Sequence, residues 1–241
     1  MAAEFVERLR DGALKYPVFH PPPRLHSLSV DNDLGDYSSF DFNLLEDWLH
    51  PTLLADSLQY FHAGGLVDWF SVAPFVKDLG ETSVLKNLRL FIETGVMNCE
   101  WFFQYSPTLL LIINLVTLGD LNLSNLVNLE RLVLDCPNLY LTREAMQCMC
   151  ILLRKVNPTR LDQITLCISA EDKLERMKKV DKSLCMDKFR NLQRFNLSIE
   201  PDSKVKDWDT DRAIALGKSI FPGVEARGIL HLIAPQKAQL P

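Results

Sequence analysis

Glycine is scarce in this sequence, with 10 residues in 241, and the glycine-containing motifs that bind phosphate groups are missing. Neither Gly-x-x-x-x-Gly-Lys-Ser/Thr nor Gly-x-Gly-x-x-Gly occurs, and Gly-x-Ser-x-Gly and His-Glu-x-x-His are also absent. Those motifs hold nucleotides, present an activated serine or bind catalytic zinc. We therefore expect a protein that is not an enzyme, with no catalytic residues and no cofactor.

An excess of basic charge and a long apolar run are missing as well. Lysine and arginine number 26 against 31 acidic residues, which gives a formal net charge of −5. Nucleic-acid and anionic-membrane partners usually require a basic surface, so neither is expected. The most apolar run, residues 108–118, has about half of the roughly 20 residues that span a bilayer. The charged N-terminus does not resemble a secretory signal, and we expect a cytoplasmic or nuclear location.

Clustered metal ligands are also absent. The six cysteines contain no Cys-x-x-Cys pair and the five histidines are scattered, which disfavours zinc. Without an export signal, the thiols are expected to be unpaired and buried. Two acidic clusters begin at Asp31 and Asp207, but neither has the glycine at the sixth position and the glutamate at the twelfth that a calcium loop needs. No metal site is predicted.

What the sequence does contain is a recurring Leu-x-x-Leu-x-Leu pattern. The copies start about 30 residues apart, except that Leu129 follows only 11 residues after Leu118. The last two apolar residues of each copy are two apart, which is the period of a strand with one buried face. The copies are Leu25-Leu28-Val30, Leu85-Leu88-Leu90, Leu118-Leu121-Leu123, Leu129-Leu132-Leu134, Leu161-Ile164-Leu166 and Leu192-Phe195-Leu197, with a degenerate one at Leu58-Phe61-Ala63.

Helical patterns alternate with these strands. Helices are predicted over residues 42–49, 66–79, 142–156, 171–188 and 210–221. Strand and helix in alternation imply a parallel sheet with helices on one face. A closed or doubly wound sheet would need strands that are apolar on both faces, whereas the residues between these leucines are polar.

The predicted fold is therefore α/β: an irregular leucine-rich-repeat-like solenoid with a curved parallel sheet and helices on the outer face. Residues 1–23 form an N-terminal lead-in or cap segment, 24–233 the solenoid and 234–241 a C-terminal tail. The segment 221–233 is expected to cover the last repeat.

Polar residues at the third and fifth positions of the copies define the predicted binding surface, which is the concave face of the solenoid. Any one-sided sheet needs polar residues outside, so the face as a whole carries the prediction. Trp208, in a polar segment, is a further candidate anchor. The predicted protein-binding residues are Asn87, Arg89, Arg131, Gln163, Arg194, Asn196 and Trp208.

The repeat segments RLHSLSV, VLKNLRLF, LVNLERLVLDCPNL, RLDQITLCI and KFRNLQRFNLSI, with the ending FPGVEARGILHLI, resemble a known family. The chain is similar, over residues 24–233, to the repeat region of fungal F-box/leucine-rich-repeat proteins. The resemblance implies the substrate-recognition part of an F-box ubiquitin-ligase adaptor, with a ubiquitin-ligase complex as partner. The F-box itself, a helical segment that usually opens with Leu-Pro, is not visible in residues 1–23. The asparagine or cysteine usual at the ninth motif position is also missing.

Two alternatives stay open. A repeat scaffold or inhibitor unrelated to ubiquitin would show the same pattern and would differ only in its partners. An α/β hydrolase or transferase would instead bring titratable groups together in a pocket at the strand ends.

Overall fold

The computed structural model describes residues 25–32, 54, 56–65, 75–77, 79, 83–91, 121, 123–136, 143–169, 177–200 and 210–233. Its centre is a seven-stranded sheet in which every pair of neighbours is parallel and the strands follow one another in sequence order. The predicted parallel α/β architecture is confirmed. The strands are β1 Ser27–Asn32, β2 Tyr60–Gly65, β3 Asn87–Phe91, β4 Arg131–Cys136, β5 Gln163–Ser169, β6 Arg194–Glu200 and β7 Leu230–Ile233.

Helices connect the strands in the second half of the sheet. Helix α1 (Arg143–Lys155) joins β4 to β5, and α2 (Lys178–Leu184) joins β5 to β6 together with a 3-10 turn at Asp187–Phe189. Helices α3 (Thr210–Ile220) and α4 (Pro222–Ala226) lead into β7. No helix in the described ranges is long and apolar enough to cross a membrane.

The predicted helices at 142–156 and 210–221 are confirmed by α1 and α3. The prediction for 171–188 is confirmed for Lys178–Leu184, which forms α2; the α-helix ends there and Asp187–Phe189 forms the 3-10 turn, while residues 171–176 lie outside the described residues. Of the prediction for 66–79, residues 75–77 and 79 are described, and all four are helical. The prediction for 42–49 lies outside the described residues.

The hydrophobic core is built from the repeat positions themselves. The first residue of each triplet is buried at Leu58, Leu85, Leu129, Leu161 and Leu192, and the second and third positions of β2 to β6 are buried as well. Apolar residues of all four helices belong to the same cluster. The helices therefore lie against the apolar side of the sheet, because burial of apolar area is the main force that brings such surfaces together.

The copy predicted at 118–123 is wrong as a strand. Leu123–Asn125 forms a 3-10 helix, and β3 pairs directly with β4. The physical reason is chain length: 11 residues cannot leave one strand, cross the sheet and start a parallel neighbour, which takes a dozen or more. Leu121 and Leu123 are instead buried in the core from this connection.

Strand β7 extends the sheet beyond the last predicted copy, in a segment that had been expected only to cover it. Leu230 and Leu232 align with Phe195 and Leu197, so they continue the two core rows. The first position of this seventh triplet is occupied by Arg227, which hides the pattern from a search for leucines.

Consecutive strands start in the same way. The carbonyl oxygen of the residue that precedes a strand accepts hydrogen bonds from two successive N–H groups of the next unit, at 2.9–3.2 Å. This arrangement recurs at every step from β1 to β6, with His26, Gln59, Lys86, Glu130 and Asp162 as the acceptors. It holds the strand starts in one line and therefore aligns the residues that follow.

Polar side chains also tie each turn to the unit before it. Asn128 donates to the Ser83 carbonyl oxygen and Asn157 to that of Ser124, both at 2.8 Å. Lys188 Nζ lies 2.9 and 3.0 Å from the carbonyl oxygens of Arg154 and Val156, at the end of α1, where helical carbonyls lack partners.

Arg227, which precedes β7, also binds main-chain carbonyl oxygens of the preceding unit. Its Nη1 donates to the Leu184 carbonyl oxygen at 2.8 Å and its Nη2 to that of Phe189 at 2.7 Å, so that one side chain binds the ends of both α2 and the 3-10 turn. A cation at a helix C-terminus is also electrostatically favourable. The guanidinium therefore contributes cohesion that a leucine in this position would not supply.

Replacing Arg227 by leucine is expected to lower the free energy of unfolding by about 2 kcal/mol, although it restores the consensus triplet. Two carbonyl oxygens that now accept charged donors would lose them. The measurement is the urea unfolding midpoint followed by circular dichroism. Arg190→Leu, on the exposed turn after Phe189, is the matched control and should leave the midpoint in place. An Arg227→Leu variant as stable as the wild type would show that leucine packing outweighs these hydrogen bonds.

Candidate functional site

The third-position residues of β3 to β6 form one row across the polar side of the sheet. Asn87, Arg131, Gln163 and Arg194 are direct register partners on consecutive strands. Arg131 and Arg194 are exposed, and Asn87 and Gln163 are half-buried. We call these four residues the outer row. Four of the residues predicted for partner binding are thus neighbours in space.

Side chains of the outer row keep most of their hydrogen-bonding capacity. Within the described ranges, neither the Arg131 nor the Arg194 guanidinium has an ion-pair partner, since the ion pairs there join Lys86 to Glu130, Arg89 to Asp135 and Lys218 to Glu225. Gln163 Nε2 donates to Thr165 Oγ1 at 3.4 Å, and its carbonyl oxygen remains available. Such groups can pair with a partner at no cost to the fold.

The fifth-position residues form a second row, the inner row, with the opposite character. It consists of Ser29, His62, Arg89, Val133, Thr165, Asn196 and His231. Ser29 Oγ and His62 Nδ1 share a hydrogen bond of 3.0 Å, Asn196 Nδ2 donates to Thr165 Oγ1 at 3.2 Å, and Arg89 pairs with Asp135. These contacts link β1 to β2, β3 to β4 and β5 to β6.

Arg89 and Asn196 belong to this inner row, although the sequence assigned them to partner binding. Asn196 is 7% exposed, and its amide is engaged with Thr165. Arg89 is half-buried against Asp135, a carboxylate that is itself buried. Both side chains are engaged with neighbours on the sheet, although Arg89 Nε is buried without a hydrogen-bond partner in the described part of the chain, so we assign them a supporting role beside the outer row. Trp208 lies outside the described residues.

The neighbours of Arg89 stabilise the protonated form of its guanidinium group. Burial lowers the pKa of Arg89, but the hydrogen bond and the charge of Asp135, with smaller effects of Cys167 and Tyr60, outweigh it and raise the pKa above its ordinary value. The guanidinium therefore stays protonated and compensates the buried Asp135. Removing either partner alone would leave the other as an uncompensated charge in a partly dry position.

The side chains that commonly bind metal ions do not form a cluster in the described part of the chain. Within it, no three His, Cys, Asp or Glu side chains are arranged to hold a metal ion. Of the two acidic clusters, Asp31 lies in β1 and Asp211 in α3, while Asp33, Asp36, Asp207 and Asp209 lie outside the described residues.

The cysteines differ in exposure. Cys136 and Cys150 are buried as expected, but Cys167 is half-buried and Cys185 is exposed at the end of α2, which corrects the expectation that the thiols are all buried. Burial and the neighbouring Asp181 carboxylate raise the pKa of Cys185, and Arg227 lowers it by less. A raised thiol pKa reduces the thiolate that a nucleophile requires.

No protein-family model matches the chain, and no curated protein or solved structure matches it. The resemblance to F-box/leucine-rich-repeat proteins therefore rests on the repeat segments quoted above.

Proposed function

We propose that this chain is a leucine-rich-repeat-like solenoid that binds another protein through the outer row and performs no chemistry. The observation that carries the proposal is the contrast between the two rows of the polar face. In the inner row, Ser29 and His62 share a hydrogen bond, as do Thr165 and Asn196, and Arg89 pairs with Asp135, whereas the outer row presents two guanidinium groups without ion-pair partners in the described ranges and two amides, of which only Gln163 Nε2 is engaged. Polar groups that the fold does not use are available to a partner.

The construction of the sheet supports this use. The recurring carbonyl contacts set the strand starts in one line, and the contact between Thr165 and Asn196 links two of the strands beside the outer row. A surface that is ordered before the partner arrives loses little conformational entropy on binding. Arginine is also a frequent source of binding energy at protein interfaces, because its planar fork matches carboxylate and carbonyl acceptors.

The repeat segments extend the proposal to a biological role. Their resemblance to fungal F-box/leucine-rich-repeat proteins implies the substrate-recognition part of a ubiquitin-ligase adaptor. In that role the outer row captures a target, and a ligase complex is the second partner. A repeat scaffold or inhibitor would use the same face and would differ only in the identity of its binding partners.

Two proposals can be tested together, namely binding through the outer row and the role in a ubiquitin ligase. The experiment is affinity purification of the tagged chain from its native cells, with partners quantified by mass spectrometry. We expect the double reversal Arg131→Glu/Arg194→Glu to reduce recovery of the specific partners about tenfold or more, because it replaces attraction with repulsion. The matched control is Lys178→Glu/Lys179→Glu, which makes the same change in net charge on the exposed start of α2.

Partner recovery that is unchanged by the reversal at Arg131 and Arg194 would remove the outer row as the binding surface. Recovery of a cullin and its adaptor with the wild-type chain would support the ligase role. Specific partners without them would identify a scaffold or inhibitor.

A further inference from the structure

The outer row carries positive charge on a chain whose formal net charge is −5. Two neighbouring cations are neutralised within the fold, Lys86 by Glu130 at 3.3 Å and Arg89 by Asp135. Arg131 and Arg194 are not paired in this way within the described ranges. The charge presented to a partner at this row therefore comes from these two exposed guanidinium groups.

Asp162 is the acidic group at the start of β5, the strand between those of the two arginines. It forms no ion pair with either arginine, and its Oδ1 is buried without a hydrogen-bond partner in the described part of the chain. Its main-chain oxygen, by contrast, accepts the N–H groups of Gln193 and Arg194. Asp162 lowers the local potential but leaves both guanidinium groups accessible.

The spacing of the row suggests the shape of the partner. Arg131 and Arg194 lie two strands apart, which is roughly 10 Å at about 4.8 Å a strand. Residues three apart in an extended polyproline-type segment point the same way and lie about 9 Å apart. Between the two arginines, the carbonyl oxygen of Gln163 is placed to accept a main-chain N–H, since its Nε2 is held by Thr165.

We propose that the outer row binds an extended acidic segment of a partner protein, in which two carboxylates about three residues apart pair with Arg131 and Arg194. The proposal rests on the protein-binding function above and adds the chemistry of the ligand. Arginine holds a carboxylate through two parallel N–H···O bonds, and such charge-assisted bonds are the strong ones. Gln163 orients the segment across the strands, and Asn87 extends the row by one strand.

A peptide fits this surface better than a nucleic acid does. A nucleic-acid backbone carries a charge at every nucleotide and is bound by a broad basic stripe. Here Asp162 precedes the strand between the two unpaired arginines, and the Lys86–Glu130 pair lies next to Arg131, so the basic area is narrow.

The test uses the purified full chain and a fluorescein-labelled octapeptide, Ser-Pro-Glu-Ala-Pro-Glu-Pro-Ser, in fluorescence anisotropy. We expect saturable binding that is about tenfold weaker when both glutamates are replaced by glutamine. Binding should also weaken as salt rises from about 0.05 M to about 0.5 M, because exposed pairs are screened. Arg131→Glu/Arg194→Glu should abolish binding, whereas Lys178→Glu/Lys179→Glu should retain it.

Since Arg131 and Arg194 are exposed, the variants are expected to fold, and a milder pair, Arg131→Gln/Arg194→Gln, guards against a folding defect. Equal binding of the glutamate and glutamine peptides would overturn the proposal. So would a labelled oligothymidine that binds as tightly as the glutamate peptide at the same salt. If native partners depend on the outer row while the acidic peptide does not bind, the acidic-segment inference falls and the protein-binding function stands.

Discussion

Truncating Phe195 to alanine is expected to lower the free energy of unfolding by about 3–5 kcal/mol, the largest effect we predict for a single substitution. Phe195 lies in the core row of β6 and is 1% exposed. Its ring packs on that of Phe221, with centroids 4.9 Å apart and planes tilted by 52°. This contact joins the sheet to the junction of α3 and α4. The substitution removes a large apolar side chain and leaves a cavity that neighbours on a parallel sheet fill poorly.

The measurement is urea unfolding followed by circular dichroism, with hydrogen exchange to locate the loss. A change of this size is a large fraction of the roughly 5–15 kcal/mol by which ordinary domains are stable. Arg194→Ala is the matched control, because it truncates the adjacent residue of the same strand on the polar face and should leave the midpoint unchanged. An equal effect of the two substitutions would mean that the Phe195–Phe221 contact does not join the sheet to the helices.

Removing the carboxylate of Asp181 is the substitution with the second largest expected effect, about 2–4 kcal/mol for Asp181→Ala. Asp181 is 8% exposed and lies in α2, yet its two oxygens accept the N–H groups of Gly223 and Val224 at 3.0 Å each. These donors belong to the first turn of α4, whose own N-cap, Phe221, offers no side-chain hydrogen bond. The carboxylate therefore caps a helix 42 residues away in sequence.

Gly223 packs closely against the Asp181 carboxylate and Cys185. A Cβ added at Gly223 would lie 2.5 Å from Cys185 Sγ and 2.9 Å from Asp181 Oδ2. Asp181→Ala would deprive both N–H groups of these acceptors, in a buried contact at Val224 and a part-buried one at Gly223, and this is the origin of the expected cost.

Two measurements distinguish this effect from a general loss of stability. Urea unfolding should give Asp181→Asn a free energy of unfolding between those of the wild type and Asp181→Ala, because an amide retains one acceptor oxygen.

Alkylation of Cys185 followed by peptide mass spectrometry should show a lower thiol pKa in both variants, since the Asp181 charge helps to raise it. Lys182→Ala, an exposed neighbour in α2, is the control. Unchanged Cys185 reactivity in a folded Asp181→Ala variant would contradict the electrostatic part.

The leucine spacing alone located five full strands and a degenerate sixth, and the physical reason is simple. A residue that must be buried leaves its mark in the sequence, and an alternation of two identifies a strand whatever its neighbours are. The helices at 142–156 and 210–221 were predictable on the same ground, because their apolar faces and flanking prolines are local features. The outer row followed from the same register, since it is the polar complement of the buried positions.

The copy at Leu118 shows where this reasoning fails. Leu121 and Leu123 are buried as the pattern requires, but burial does not reveal that too few residues remain for a crossover. Arg227 shows the reverse failure, because a guanidinium that binds two helix ends replaces a leucine without any apolar signal. The first case depends on the number of residues between two strands, and the second on the distance from Arg227 to two helix ends. The spacing of hydrophobic residues shows neither.

The sequence by itself thus determined the alternation of strands and helices, the residues of the core and the identity of the polar face. Only the tertiary structure separated that face into two rows. Arg89 pairs with Asp135, which is 46 positions away, and Asn196 binds Thr165, which is 31 positions away. These residues meet only when the strands are in register, so the sequence does not show whether the two side chains are available to a partner. The burial of a residue can be inferred from that residue and its spacing in the sequence. A side-chain hydrogen bond needs a second, distant residue, and the fold alone shows which residue that is.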